Sequence, residues 1–276
     1  MADKFRTRKR LGQNFLIDPT VPIAIADAAE LSPADRVLEI GPGQGVLTRE
    51  LAKRAGEVVA VELDTRLEKD LEILQGQFQN LRVVWGDFLQ TDFEALSLDE
   101  TRTKVVANIP YYITTPILLK LLHGAEFERL PFDQVSPRPM RILLMVQEEV
   151  ARRLMAKPGN KDYGSLSIIT QYAAEVRPVI KVPRQAFAPR PQVDSQVVML
   201  VPRSEPPVEV QDAKIFFKLV RGAFAQRRKT LLNALQAAGF ERSKLEEALS
   251  QAGIDMMRRG ETLSLEAFAK LASLLA

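Results

Sequence analysis

The chain has 276 residues, 46% hydrophobic and 26% charged, enough for one large domain, or a large and a small one, around a real core. It has no cysteine and one histidine, His123, which excludes disulfides, thiolate metal sites, cysteine nucleophiles and histidine-rich metal sites; no metal is expected and His123 reads as structural. The net charge is +3, no apolar run is long enough to span a membrane, and the N-terminus lacks an apolar signal core, so a cytoplasmic protein is expected.

In chain order, Lys4, Arg6, Arg8, Lys9 and Arg10 crowd a basic segment over residues 1–18. Val37 to Ile40 then reads as a strand, followed by a glycine-rich turn and a helix near 45–55. Val58 to Leu63 is the next strand, with a charged helix near 65–76, and Leu81 to Trp85 the third. Lys104 to Asn108 is the fourth, with a helix after Thr114-Thr115-Pro116, where proline suits a first turn. Residues 131–140 hold three prolines and read as an exposed loop. Arg141 to Val146 is a fifth strand, helices follow near 147–156 and 164–174, and two more strands near 175–181 and 195–201. Repeated βα units predict an α/β fold with a parallel sheet covered on both faces.

Pro202-Arg203-Ser204-Glu205-Pro206-Pro207 reads as a linker. Beyond it Phe216, Phe217, Val220, Phe224, Leu231 and Leu235 recur at helical spacing. Residues 1–204 are therefore expected to form the α/β domain and 205–276 a small all-helical one. Arg227-Arg228-Lys229 in the second, and Arg8, Lys9 and Arg10 in the first, are clusters able to neutralise phosphates. A solvated helix face and a solvated tail are the plainer readings of each cluster alone.

"VLEIGPGQGVLT" places Gly41, Gly43 and Gly45 between the first strand and its helix. A dinucleotide fingerprint would need glycine where Val46 stands, and no Gly-Lys-Ser/Thr loop occurs anywhere. What remains is an E-x-G-x-G-x-G turn led by Glu39. Glu62 falls 21 residues after Gly41, at the tip of the second strand, where a carboxylate can accept from two ribose hydroxyls. Asp87, in "WGDF", ends the third strand, and Asn108 ends the fourth. Each alone could be a turn residue. Together they put four polar groups on the carboxyl edge of the sheet, where open α/β sheets bind ligands. "ANIPYY" (107–112) adds Pro110, Tyr111 and Tyr112 to the last tip, and its plain reading is a rigid turn with rings packed inward.

The ordered set "LGQNFLID" (11–18), "EIGPGQGVLT" (39–48), "VELD" (61–64), "GDF" (86–88), "NIPYY" (108–112), "PGNKDYGSLS" (158–167) and "FAPRPQVDS" (187–195) resembles the bacterial small-subunit ribosomal RNA adenine N6,N6-dimethyltransferases, the KsgA or RsmA family, over nearly the whole chain. The Erm methyltransferases of large-subunit RNA share several of these motifs. "FAQRRKTLLNAL" (224–235) looks like the small-subunit group, whereas Ile109 stands where that group more often has leucine.

The resemblance implies a Rossmann-like class I S-adenosylmethionine-dependent methyltransferase domain with a helical C-terminal domain. It implies methylation of two adjacent adenosines in a 3′-terminal loop of small-subunit (16S) ribosomal RNA, a part in small-subunit biogenesis, and a monomer acting on a pre-mature subunit. By resemblance Asn14 and Leu16 cover S-adenosylmethionine, Gly41 gives close backbone approach, Glu62 holds the ribose, Asp87 reads the cofactor adenine and Asn108 sits near its methionine end. The Asn108 side-chain oxygen, with the Ile109 or Pro110 carbonyl, would accept the two protons of the substrate N6. Tyr111 would stack on the target adenine and Phe187 close its other face. Two other classes of function compete: a ribosome-assembly factor with incidental or lost methylation, and a DNA adenine methyltransferase with a similar Asn-Pro motif.

Overall fold

The computed structural model describes residues 13–96, 102–123 and 139–276. Arg8, Lys9, Arg10 and most of the proline-rich loop lie outside the described residues. The chain divides into two compact units, one made of Met1–Leu121, Val135–Ala151 and Arg177–Pro202, the other of Leu122–Gln134, Arg152–Val176 and Arg203–Ala276.

The elements run β1 (Phe15–Leu16), α1 (Thr20–Ala28), β2 (Arg36–Ile40), α2 (Val46–Ala52), β3 (Glu57–Glu62), α3 (Glu68–Gln77), β4 (Leu81–Trp85), β5 (Thr103–Asn108), α4 (Thr114–His123), β6 (Arg141–Gln147) and α5 (Glu148–Met155). They continue with α6 (Ser165–Ala173), β7 (Ala174–Val182), β8 (Phe187–Ala188), β9 (Ser195–Pro202), α7 (Ala213–Ala225), α8 (Leu231–Ala237), α9 (Arg242–Ala252) and α10 (Leu265–Leu275).

The first unit carries a seven-stranded sheet in the order β4-β3-β2-β5-β6-β9-β7. Strands β2 to β6 are mutually parallel where they pair. Their sequences are nearly unbroken apolar runs, as strands buried on both faces require, and Val58, Val59, Val105, Val106, Leu143 and Leu144 are all fully buried. The sheet is mixed rather than wholly parallel, because β9 runs antiparallel to β6, with Ser195 opposite Gln147. Residues 183–194 hold only a short 3-10 turn and β8, and without a crossover helix the chain cannot make another parallel βα step. A separate two-stranded sheet pairs β1 with β8.

In the second unit α7 buries Phe216, Phe217, Leu219 and Val220. Helices α7, α8 and α10 are capped by Asp212, Thr230 and Ser264, each accepting a backbone N–H of the first turn. Residues 152–176 join this unit because their aromatic rings pack there, Tyr172 against Phe216 at 5.3 Å and Tyr163 against Phe224 at 5.8 Å between centroids. His123 is buried edge-on to Phe217, in keeping with a structural role. Among the described residues no helix is long and apolar enough to cross a membrane.

Candidate active site at the carboxyl edge of the sheet

From β2 the chain builds β3 and β4 on one side, then returns to place β5 and β6 on the other. This reversal opens a crevice beyond the strand ends, the usual ligand site of an open α/β sheet. A cleft of about 1080 Å³, its open mouth included, occupies that position. Asn14, Leu16, Gly41, Glu62, Asp87, Asn108, Pro110 and Tyr111 all line it, with Glu39 at its base strand.

The glycine turn forms one wall. Gly41, Gly43 and Gly45 have φ of 71°, 59° and 76°, a region that side chains disfavour. A Cβ on Gly45 would also fall 2.0 Å from Leu74 Cδ1, so a larger residue there would both strain the turn and force the Leu74 side chain on α3 to move. The Gly43 N–H donates to Glu62 Oε2 at 3.0 Å and the Asp64 N–H to Oε1 at 2.8 Å. These bonds fix the Glu62 carboxylate, whose remaining lone pairs can still accept. Burial pushes its pKa up, while the backbone donors of Asp64, Gly43 and Leu63 pull against that shift.

Segment 13–16 reaches the cleft through two long-range ties. Gln13 Nε2 donates to Asp64 Oδ2 at 2.8 Å, and β1 pairs with β8. Asp64 is held down to about 2, chiefly by the Arg66 guanidinium and then by Gln13, so it stays ionised as an anchor. Gln13 was not singled out in the sequence; its place beside Asn14 in "GQNF" was the available signal.

Glu39 is 1% exposed, and neither its Oε2 nor the nearby Thr48 hydroxyl makes a well-formed hydrogen bond among the described residues. Burial pushes its pKa to about 8, Thr48 lowers it somewhat, and the like charge of Glu62 adds to the rise. Asp87 caps a 3-10 turn over Phe88–Gln90, its Oδ1 accepting the Leu89 N–H at 2.9 Å.

At the tip of β5, Asn108 is half-buried, and its side-chain amide makes no hydrogen bond among the described residues. The Pro110 carbonyl already accepts the Ile113 N–H at 3.1 Å, closing the turn Tyr111–Ile113. Tyr111 is half-buried and its hydroxyl is 2.7 Å from Ser195 Oγ. Tyr112, 53% exposed, also borders the cleft. Phe187 is not brought there. It is 3% exposed, because β8 pairs it with Leu16 and both side chains enter the apolar core.

In the second unit Arg227, Arg228 and Lys229 are exposed between α7 and α8. Arg227 is partly committed, donating to the carbonyls of Lys161 and Tyr163. The Leu231 N–H donates to the Arg258 carbonyl at 2.6 Å, which brings the exposed Arg258-Arg259 pair alongside the cluster. The sequence reading missed that pair, although its Arg-Arg-Gly run was visible.

The family model for ribosomal RNA adenine dimethylase matches residues 4–276. The chain belongs to that family. It is accordingly an S-adenosylmethionine-dependent methyltransferase of ribosomal RNA adenines. The chain is 51% identical over 272 residues to a ribosomal RNA small subunit methyltransferase A of Moorella thermoacetica, covering 96% of this chain and 91% of the relative. It is 47% identical over 279 residues to the protein of the same name from Geobacillus thermodenitrificans, covering 98% and 92%. Among solved structures, a dimethyladenosine transferase from Plasmodium falciparum superposes with TM-score 0.73 at 28% identity, over 93% of this chain and 95% of that one. The 23S rRNA methyltransferase ErmE superposes with TM-score 0.67 at 32% identity, over 95% and 99%.

The cleft fits the family's cofactor. A glycine cradle that a side chain would fill, a fixed Glu62 carboxylate with spare lone pairs, and a buried Glu39 carboxyl oxygen with no hydrogen-bond partner among the described residues suit a nucleoside joined to an amino acid.

Proposed function

We propose that this chain transfers methyl groups from S-adenosylmethionine to the exocyclic N6 of two adjacent adenosines in a 3′-terminal loop of small-subunit (16S) ribosomal RNA, giving N6,N6-dimethyladenosine. Its setting is the cytoplasm, its substrate a small subunit not yet mature, and its working form a monomer. The observation that carries the reading is the tip of β5: an Asn108 amide with no partner among the described residues, beside the pinned ring of Tyr111, on the wall of the cleft.

Bound S-adenosylmethionine supplies an electrophilic sulfonium methyl. Asn14 and Leu16 cover the cofactor, Gly41 lets the backbone approach it, Glu62 accepts from the ribose hydroxyls and Asp87 accepts from its adenine amino group. The protein must then deal with a poor nucleophile, since the N6 lone pair is delocalised into the purine. Two acceptors taking the N6 protons turn that lone pair out of the ring. The Asn108 side-chain oxygen is one. The Ile109 carbonyl is the better second, because the Pro110 carbonyl is engaged in the turn. The proton can leave after attack, so the site needs orientation more than a strong base, with reacting atoms held about 3–3.5 Å apart.

Tyr111 offers a stacking face to the target base, a contact worth roughly 1–3 kcal/mol. Phe187 offers none while it is buried in the core beside Leu16. An adenosine in a loop is the easier target, because extruding a paired base costs a few kcal/mol. Arg228, Lys229 and Arg227, with Arg8, Lys9 and Arg10 from the N-terminal segment, neutralise RNA phosphates.

The test is transfer of labelled methyl to immature small subunits, large subunits, protein-free RNA and DNA, followed by nucleoside analysis. Dimethyladenosine confined to small-subunit RNA is expected. Label entering DNA or large-subunit RNA instead would overturn the assignment, and no transfer with retained particle binding would favour an assembly factor.

A further inference from the structure

Lys120 lies on α4, eight residues beyond Tyr112, and its ammonium reaches the turn after β4, whose Phe88 and Leu89 line the cleft. It donates to the carbonyls of Phe88 at 2.9 Å, Leu89 at 2.9 Å and Thr91 at 2.7 Å. An ammonium has three donors, and these contacts use all of them. It also sits over the rings of Phe88 and Phe93, at 5.2 and 5.8 Å from their centroids. Burial lowers its pKa, while the negative charges of Asp92 and Asp87 oppose that.

The carbonyls it holds belong to the 3-10 turn that Asp87 begins. At the start of the turn Asp87 Oδ1 accepts the Leu89 N–H, and the Thr91 hydroxyl donates to the Asp87 carbonyl at 2.8 Å. Along the turn itself, Lys120 fastens the carbonyls of its first two residues, Phe88 and Leu89, and that of Thr91 just past its end. Asp87 Oδ2 makes no hydrogen bond among the described residues, and Asp87 lines the cleft. A three-residue 3-10 turn has little stability of its own, so the aim of that oxygen depends on the Asp87 cap and the Lys120 contacts together.

We infer that Lys120 is a positioning residue for cofactor recognition: it clamps the turn after β4 so that the free oxygen of Asp87 meets the adenine amino group. The inference rests on the reading of Asp87 given above. A lysine that merely staples α4 to a loop would affect stability, and would affect every ligand of the cleft alike. A lysine acting through Asp87 affects only ligands with an amino group to donate.

The experiment is calorimetric binding of two probes to the full chain: S-adenosyl-L-homocysteine, and S-inosyl-L-homocysteine, which carries a carbonyl in place of the amino group. In the parent the adenosyl probe binds tighter. In Lys120→Met the adenosyl-to-inosyl affinity ratio is expected to shrink about tenfold, the loss of one charge-assisted hydrogen bond, and in Lys120→Arg to stay near the parent's. Adding Asp87→Ala to Lys120→Met should shrink the ratio no further. If Lys120→Met does not fold, the ratio is read on Lys120→Gln, which keeps a donor for these carbonyls and should shrink it less. A ratio unchanged in the lysine variant but collapsed in Asp87→Ala overturns the role of Lys120 alone. A ratio unchanged in Asp87→Ala overturns the reading of Asp87, and the inference with it.

Discussion

The Tyr111 hydroxyl and Ser195 Oγ lie 2.7 Å apart, joining the turn after β5 to the first residue of β9. The contact exists because β9 is antiparallel, which brings its N-terminal end to the carboxyl edge of β6. Burial raises the Tyr111 pKa and Ser195 offsets this in part, so the phenol stays protonated through the physiological range. A bond of this kind contributes about 1 kcal/mol, and here it fixes the plane of a ring on the cleft wall.

The second methylation should depend on that ring more than the first. A monomethylated N6 has one proton left to donate, so stacking carries more of its alignment. Tyr111→Leu is expected to accumulate N6-monomethyladenosine in single-turnover digests read by mass spectrometry. Ser195→Ala, which keeps the ring but unpins it, should show the same bias more weakly. Equal slowing of both transfers would remove this burden from Tyr111.

Glu62 is fixed by the Gly43 and Asp64 N–H groups, so its spare lone pairs are already in place for a ligand. Glu62→Ala should weaken S-adenosylmethionine binding at least about tenfold, as expected for loss of a charge-assisted acceptor worth roughly 1.5–3 kcal/mol. Titration calorimetry on the folded variant checks it; an unchanged affinity would take Glu62 out of the site.

Glu39 makes stability depend on pH. Its pKa rises from 4.5 to about 8 in the folded chain, mainly through burial. Below that window both states hold the proton. Within it the unfolded chain releases the proton and the native one keeps it, so stability falls as pH rises, by up to about 1.4 kcal/mol per pH unit, and levels off above the folded value. Glu39→Gln removes this term. In thermal melts its gain over the parent should grow from pH 5 to pH 8; a constant difference would mean that Glu39 is ionised in the native state.

For the basic cluster, Arg228 and Lys229 are the cleaner pair to change, since Arg227 also holds carbonyls of its own unit. Arg228→Gln with Lys229→Gln should weaken small-subunit binding and lower the slope of log affinity against log salt by about 1.5, from two lost phosphate contacts. Cofactor affinity should not change. An unaltered slope would make the cluster a solvated surface.

The strand tips were legible because parallel strands read as unbroken apolar runs, so the polar residue ending each run is the one the carboxyl edge exposes. Glu62, Asp87 and Asn108 were found this way, from residues local in sequence. What could not be read is long-range. The β1–β8 pairing involves two residues on each side and leaves no periodic trace; it carries Asn14 to the cleft and buries Phe187. The turn of β9 against β6 depends on the missing crossover helix, and with it the Tyr111–Ser195 contact. Arg258 is tied to the segment after Arg228 and Lys229 by the backbone bond from the Leu231 N–H, a contact distant in sequence. Lys120 carries no local signal, since its three acceptors lie about thirty residues upstream.

Asn108 is the residue proposed to orient the substrate N6. The most direct measurement is the single-turnover rate of the first methyl transfer to small-subunit particles by Asn108→Ala, with S-adenosylmethionine saturating and particle binding checked separately. The account predicts a fall of about a hundredfold or more, the usual cost of misplacing a reacting group by about 1 Å, with particle affinity retained. A variant that transfers the first methyl at the parent rate would contradict it.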